Sequence, residues 1–230
     1  WLLQSKRTQA WDTPINSVNA VYAFFGGNCE SLGASKPMAV LKLNGQTLVM
    51  PKATAGMGYV KTAKTGEKMK TLSIEKQTDG TSWGAVYAQF VQPTADVSDA
   101  AEGMSVVREV LKNGKRIATD GETLAVGDRI TVRIVINADR DYDFVQLADR
   151  RAACLEPLGQ LSGYRDGCYC EPKDNATNYY FDRLSKGKHV VETEYYVDRA
   201  GTYQTGTCTV QCAYSPEFGA RTKAVALSVE

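Results

Sequence analysis

The chain has 230 residues, which is enough for one large domain or two of ordinary size. Apolar residues make up 43% of it and charged residues 23%, both near globular averages, and no run approaches the roughly 18 consecutive apolar residues that span a bilayer. Lys and Arg (27) nearly balance Asp and Glu (26), so the formal net charge is +1. This composition argues against nucleic acid as a partner and against direct insertion into a membrane.

The N-terminal part of the sequence carries a helical pattern. Thr13 is a good N-cap with Pro14 at the first helical position, and apolar residues then recur at three- and four-residue steps until Gly26. The three residues from Trp1 would end a preceding helix. Two short helices beside a β chain have little to pack against, so we expect residues 1–30 to be the remnant of a helical domain that lies mostly upstream. The absence of an initial Met and of a leader-like segment favours the same view.

From residue 36 onward the apolar pattern has a period of two, which is typical of β-strands. Asn44-Gly45 lies between two apolar runs and predicts a hairpin, because a type I′ turn needs positive φ at both central positions. Further strands are predicted at 69–75, 83–91, 105–111, 116–118, 128–137, 144–148, 178–184, 189–197, 201–214 and 222–229, with a linker at 93–104. The pattern predicts a mainly β protein of antiparallel sandwiches with a short N-terminal helical remnant.

Six cysteines are many for a cytosolic protein of this size and favour an oxidising compartment. The candidates for disulfide bonds are Cys154, Cys168, Cys170, Cys208 and Cys212. Cys208 and Cys212 should share one face of a strand, and the favoured bridge joins the loop at 168–170 to one of them. The single residue between Cys168 and Cys170 does not fit the spacing of structural zinc sites, so no metal is expected.

No catalytic arrangement is evident in the sequence. With His189 as its single histidine, the chain offers no Ser-His-Asp or Cys-His combination with an obvious base. Asp139, Asp141 and Asp143 could bind calcium, but the intervening Arg and the lack of a Gly-turn loop favour a solvated hairpin tip. We therefore expect neither an enzyme nor a cofactor.

Several separate motifs occur in the order of one known family. The stretches AACLEP at 152–157, QLSGYR at 160–165 and TVQCAYSPEFG at 209–219 resemble the C-terminal domain of bacterial alpha-2-macroglobulin-like proteins. The helical pattern after Trp11 resembles the last helix of that family's thioester domain, an α/α toroid. The resemblance implies a thioester-domain remnant at 1–30, a CUB-type half sandwich at 36–97 and an immunoglobulin-like macroglobulin domain at 98–230.

The resemblance also implies a function. In this family a protease cleaves a bait segment, the domains rearrange and an exposed thioester traps the attacker. The present chain would be the non-catalytic C-terminal part of such an endopeptidase inhibitor, which scaffolds and shields the upstream thioester domain of the same chain and meets target proteases only through the full-length parent. A periplasmic, cell-envelope or extracellular location in bacterial defence follows, and a lipid anchor on the parent would fit it.

Two details of the sequence bear on this expectation. Cys154-Leu155-Glu156-Pro157 is similar to the thioester motif Cys-x-Glu-Gln, but Pro157 replaces the Gln that supplies the acyl group, so no thioester is expected in this fragment. A loop that faces the thioester domain and shields the reactive bond is implied by the resemblance, with a small residue where the family has a larger apolar one. Its residues are Gln211, Ala213, Tyr214, Pro216 and Phe218.

Two other classes of function remain open from the sequence alone. A surface binding module of the cell envelope would use exposed aromatic residues, since eight of the 12 tyrosines lie in the last third of the chain, to bind a glycan or a protein. A structural envelope domain without inhibitory activity is the other class, and it would need neither a thioester nor exposed binding residues. A Cys-x-Glu-Gln motif upstream would favour the inhibitor, and its absence would favour the structural domain.

Overall fold

The computed structural model describes residues 2–24, 39–49, 61–63, 66, 68–77, 84–117 and 122–230. The chain divides into two compact units, one of Trp1–Trp11 with Phe90–Glu230 and one of Asp12–Gln89. The first helix therefore belongs with the larger β unit, whereas the sequence groups it with the second helix. The assignment of the N-terminal parts to a thioester domain and a CUB-type half stays a prediction.

Helices and strands are numbered in chain order. The helices are α1 (Leu2–Thr8) and α2 (Pro14–Phe24). The strands are β1 (Val40–Leu43), β2 (Gln46–Thr47), β3 (Leu72–Glu75), β4 (Ala100–Glu102), β5 (Met104–Lys112), β6 (Lys115–Arg116), β7 (Thr123–Leu124), β8 (Arg129–Ala138), β9 (Tyr142–Arg150), β10 (Leu155–Pro157), β11 (Gly163–Arg165), β12 (Cys168–Pro172), β13 (Ala176–Leu184), β14 (Gly187–Val197), β15 (Gly201–Gln204), β16 (Cys208–Cys212), β17 (Ser215–Arg221) and β18 (Ala226–Val229).

The smaller unit contains α2 and a three-stranded sheet in the order β2-β1-β3. The helix begins as predicted, because the Asn16 amide donates to the Thr13 hydroxyl at 3.2 Å and so satisfies one of the first-turn donors. The predicted hairpin is also present. Asn44 (φ 50°) and Gly45 (φ 84°) form its turn between β1 and β2.

One predicted strand of this region is wrong. Residues 84–91 form no strand, and Tyr87, Phe90 and Val91 are exposed. Alternation of apolar residues favours a strand only where a neighbouring strand can complete its hydrogen bonds, and no strand of the described part of the chain pairs with this segment. The predicted elements at residues 25–38, 50–60, 78–83 and 118–121 lie outside the described residues.

The larger unit is built on one long sheet with the order β10-β14-β8-β5-β4-β17-β16-β9-β13-β12-β11, and β6 pairs with β5. The sheet turns a corner at Gly103, where β4 and β5 follow one another and pair only through Glu102 and Met104. Gly103 has φ 71°, and a Cβ atom there would collide with the Tyr142 hydroxyl. Only glycine can make this corner without strain.

The two parts of the sheet on either side of the corner share one apolar core. From β5, β8 and β14 it includes Val110, Ile130, Val132, Ile134, Ile136, Val191 and Tyr195; from β9, β13, β16 and β17 it includes Tyr142, Val145, Leu147, Tyr179, Phe181, Val210 and Phe218. Two sheet layers that enclose one core form a β-sandwich. A separate sheet in the order β15-β18-β7, with β18 and β7 parallel, adds Leu227 and Val229 to the core. The predicted fold class is thus confirmed.

The strand boundaries differ from the prediction mainly near the C-terminus. The predicted strand at 201–214 is two strands, β15 and β16, which belong to different sheets. Between them Gly206 lies so close to Arg150 that any side chain would collide with it, and its amide donates to the Arg150 carbonyl at 3.1 Å. The predicted linker at 93–104 contains β4, and β17 was not predicted because Pro216 and Gly219 interrupt its alternation.

Candidate functional site: the hairpin of strands β16 and β17

The stretch 211–218, predicted to be a loop, is a β-hairpin with its turn at Ala213 and Tyr214. Gln211 pairs with Gly219 and Cys212 with Ser215, so the register shifts and β17 carries a bulge between its first residue and Gly219. Pro216 lies in this bulge, where a residue without an amide proton interrupts no ladder hydrogen bond. The sequence is therefore suited to a bulged hairpin rather than to an irregular loop.

Tyr214 stands at the hairpin tip with 79% of its surface exposed. Its ring makes an edge contact with Phe144, with ring centroids 5.3 Å apart and an interplanar angle of 88°. The neighbouring Ala213 amide donates to the Phe144 carbonyl at 2.8 Å. Phe144 has φ 57°, an unusual conformation for a bulky residue. The exposed ring is thus held in place by strand β9, and sequence patterns did not single out Phe144.

Phe218 is buried, unlike Tyr214. Only 8% of its surface is exposed, and its ring centroid lies 5.8 Å from that of Tyr142 in the core. The guanidinium carbons of Arg7 and Arg140 lie 5.1 Å and 5.5 Å from its ring centroid. The five predicted docking residues therefore differ in burial. Ala213, Tyr214 and Pro216 are exposed, Gln211 is half-buried, and Phe218 belongs to the core.

Helix α1 binds the same hairpin. Arg7 donates from Nε to the Glu217 carboxylate at 2.9 Å, and the Ser215 hydroxyl donates to the Arg7 carbonyl. Beyond the helix, the Ala10 amide donates to the Asp143 carboxylate at 2.6 Å. Partial burial raises the pKa of Glu217, but the hydrogen bonds from Arg7 and the backbone outweigh it and hold that pKa below its usual value. No sequence signal joins residues so far apart in the chain.

The described cysteines are buried and free, and the favoured disulfide is excluded by the sheet order. Cys170 and Val210 lie in one cross-strand row, with Tyr179 of β13 and Leu147 of β9 between them. Three interstrand steps place strands β12 and β16 about 14 Å apart. A disulfide needs Cα atoms within about 7 Å, so the bridge from the 168–170 segment to Cys208 or Cys212 was a wrong prediction. The shared buried face of Cys208 and Cys212 is present.

Burial also makes the thiols of Cys154, Cys168, Cys208 and Cys212 weak nucleophiles. It raises the pKa of Cys168 to about 11 and raises the pKa values of Cys154 and Cys212 as well. Burial also raises the pKa of Cys208 well above its ordinary value, and the nearby Asp149 adds to the effect. Cys154 itself is part of the sandwich core and directly precedes β10.

The acidic cluster and the histidine have structural partners. Asp139 accepts from the Tyr142 hydroxyl at 2.6 Å, and Asp141 accepts from Arg183 at 2.7 Å. His189 donates to the Ser185 carbonyl at 2.7 Å. Within the described ranges, no group of three or more His, Cys, Asp or Glu side chains is arranged to hold a metal ion, and no helix is long and apolar enough to cross a membrane.

Comparison with known proteins places the chain in a family. Residues 103–217, half of the sequence, match the model of the bacterial alpha-2-macroglobulin MG10 domain. The chain therefore belongs to the bacterial alpha-2-macroglobulin family, and the resemblance seen in its motifs is confirmed. The matched region begins at the Gly103 corner and ends within the hairpin. No curated protein sequence matches the chain.

Solved structures of this family share the fold. Escherichia coli alpha-2-macroglobulin activated by porcine elastase is 16% identical, with a TM-score of 0.57 over 99% of this chain and 21% of that one. Salmonella alpha-2-macroglobulin reacted with methylamine is 20% identical, with a TM-score of 0.53 over 60% of this chain and 10% of that one. Native E. coli alpha-2-macroglobulin from domain MG7 to the C-terminus is 18% identical, with a TM-score of 0.53 over 60% and 25%. The chain thus spans a quarter or less of the length of these relatives.

Proposed function

We propose that this chain is the non-catalytic C-terminal part of a bacterial alpha-2-macroglobulin-like protease inhibitor, and that its β16–β17 hairpin shields the thioester domain of the same chain. The observation that carries the proposal is the ring of Tyr214, which is 79% exposed yet fixed by Phe144. An exposed aromatic side chain that is already immobilised loses little conformational entropy when a partner covers it. Such residues are common anchors of interfaces.

The other features of the hairpin fit this role. Phe218 and its neighbours join the hairpin base to the core, so the tip is presented from a rigid support. Ala213 beside Tyr214 adds little shielding surface of its own, so the tyrosine would supply most of it. The chain would meet target proteases only through the full-length parent. A location in the periplasm or cell envelope and a role in bacterial defence are supported by family membership.

The test uses the full-length parent protein. Tyr214→Ala should speed the attack of methylamine on the thioester at least several-fold, because water and amine reach the bond once the ring is gone. Tyr164→Ala is the matched control, since Tyr164 of β11 is 75% exposed and lies on another part of the sheet. Equal amine reactivity in the two variants would overturn the shielding role.

A second function, a glycan-binding surface, has one observation in its favour. Tyr164, Tyr169 and Tyr180 form a cross-strand row on β11, β12 and β13, with centroids 5.3 Å and 6.4 Å apart. The rings are inclined by 68° and 43°, however, and do not form the flat platform on which sugars stack. The inhibitor therefore remains the better supported proposal. Retention of the chain on peptidoglycan or polysaccharide that Tyr169→Ala abolishes would favour the glycan-binding surface instead.

A further inference from the structure

We infer that Arg7 is a positioning residue, which fastens the β16–β17 hairpin to helix α1 so that the position of the Tyr214 tip depends on that helix. The contact is a property of this chain, while its effect on a thioester rests on the proposed function. Arg7 lies outside the family-matched residues 103–217.

Arg7 holds the bulged part of the hairpin by three different contacts. Its guanidinium binds the Glu217 carboxylate and lies over the ring of Phe218, and its carbonyl accepts from the Ser215 hydroxyl. A guanidinium can combine an ion pair with stacking because it is planar and carries donors in a fixed fork. One residue of α1 thus contacts three residues of this segment, Ser215, Glu217 and Phe218.

The bulge needs such support from outside the sheet. Between Cys212 and Gly219 the register shifts, so the residues of β17 from Pro216 to Phe218 have no paired residue on β16. Backbone groups released from a ladder must find other partners or remain in water. Without α1, Phe218 would keep its contacts with the core. The tip would keep the pairing of Cys212 with Ser215 and the contacts of Ala213 and Tyr214 with Phe144.

The second arginine that contacts the Phe218 ring, Arg140, belongs to the sandwich. Arg140 lies over the ring and pairs with Asp139, which accepts from the hydroxyl of the fully buried Tyr142. Phe218 therefore contacts both an arginine of the sandwich and an arginine of the N-terminal helix. A displacement of α1 would remove the Arg7 contact and leave the Arg140 contact. The hairpin would then loosen without unfolding of the core.

The experiment measures amide hydrogen exchange in this chain with Arg7→Ala. We expect exchange of the amides from Ala213 to Glu217 to accelerate by about tenfold, while those of Ile130–Ile136 in β8 stay unchanged, as in a local opening. Arg7→Lys keeps the charge but loses the planar stack, so it should give an intermediate acceleration.

The matched control is Arg133→Ala, which removes the comparable exposed pair between Arg133 and Glu192 of β8 and β14. It should leave hairpin exchange unchanged. The inference is overturned if Arg7→Ala and Arg133→Ala give equal hairpin exchange, or if Arg7→Ala accelerates β8 as much as the hairpin, which would mean that Arg7 is only a general stabiliser.

A second measurement separates this inference from the shielding role. In the full-length parent, Arg7→Ala should speed methylamine attack although Tyr214 is intact. If the hairpin loosens in exchange experiments but neither Arg7→Ala nor Tyr214→Ala changes amine reactivity, the fastening stands and the shielding function fails. If Tyr214→Ala speeds the attack but the hairpin does not loosen in Arg7→Ala, the shielding stands and the inference about Arg7 fails.

Discussion

Phe218 and Tyr214 are four residues apart on one hairpin, yet they differ in what their rings contribute to the protein. The Phe218 ring adds core packing and two cation–π contacts, whereas most of the Tyr214 ring faces water. Cation–π contacts contribute about 0.5–2 kcal/mol each, depending on exposure. The motif that contains both residues therefore combines a structural anchor with a surface element.

The two rings should respond differently to truncation. Phe218→Ala should lower the free energy of unfolding of this chain by about 3–4 kcal/mol, because it empties a well-packed site. Tyr214→Ala should change it by less than about 1 kcal/mol, because a mostly exposed side chain buries little area. Urea unfolding followed by far-ultraviolet circular dichroism measures both. Equal losses in the two variants would show that the tip is part of the core.

Asp128 gives the fold a dependence on pH. Its pKa is lowered by the hydrogen bond from the Ala125 amide, at 2.8 Å, and by the one from Lys112, at 2.5 Å. A carboxylate with a depressed folded pKa stabilises the protein above its unfolded pKa, and this contribution is lost as the pH falls through the folded value.

Asp128→Asn should therefore lower the free energy of unfolding by about 1 kcal/mol at pH 7. The difference from the unsubstituted chain should shrink below about pH 4. Asp182→Asn, at an exposed position of β13, is the control and should have little effect at either pH. A difference that grows on acidification would contradict this account.

At the scale of single elements, the corner between β4 and β5 depends on Gly103. Its positive φ and its contact with the Tyr142 hydroxyl both exclude a side chain. Gly103→Ala should cost several kcal/mol in the free energy of unfolding, from backbone strain and from the collision. In a Tyr142→Phe background the hydroxyl is absent, so the same substitution should cost less. A double-mutant cycle measured by chemical denaturation checks this, and strict additivity would show that the collision is relieved elsewhere.

Local signals predicted the elements whose causes are local. The start of α2 follows from Thr13 and Pro14, and the first hairpin follows from Asn44-Gly45, because caps and tight turns are decided by a few adjacent residues. Strand β8 was predicted within about a residue at each end, since its apolar alternation is unbroken. The family motifs also pointed to residues 211–218, but as a loop rather than as a bulged hairpin.

The remaining features depend on contacts that are distant in sequence. The split between β15 and β16 arises where Gly206 passes Arg150, and the separation of the cysteine pairs arises from the order of β12, β13, β9 and β16. The binding of Arg7 to Glu217 likewise depends on how α1 meets the sandwich. None of these leaves a periodic or spacing signal in one stretch of sequence, so pattern analysis could not find them.

At the scale of the whole sandwich, a buried ion pair joins its two layers. The side chains of Arg108 on β5 and Asp149 on β9 are 5% and 3% exposed and lie 3.0 Å apart. Arg108 also donates to the Thr205 hydroxyl at 2.7 Å and to the Gly206 carbonyl at 2.9 Å. Burial raises the pKa of Asp149 although Arg108 opposes this, so the carboxylate depends on its partner to stay charged.

Removal of the arginine should therefore be costly. Arg108→Met should lower the free energy of unfolding by about 3–5 kcal/mol, because Asp149 and the acceptors around it are left buried without their donor. The double variant Arg108→Met with Asp149→Leu should recover a large part of the loss. Arg133→Met, in an exposed pair, is the control for loss of one positive charge. Denaturation midpoints of the four proteins check this, and a loss below 1 kcal/mol in the first variant would contradict it.

The order of the long sheet has a consequence for how the protein behaves at high concentration. The Gly103 corner joins the two layers along one side. The edge strands of the long sheet are therefore β10 and β11, and each has three residues. The Leu158 amide donates to the Glu194 carbonyl of β14. Because the backbone groups of successive residues in an antiparallel strand point to opposite sides, the nitrogen of Pro157 faces away from β14. An outward proline offers no donor to an incoming strand, and short edges resist edge-to-edge association. The residue that distinguishes this tetrapeptide from a thioester motif thus helps to keep separate molecules from joining their sheets.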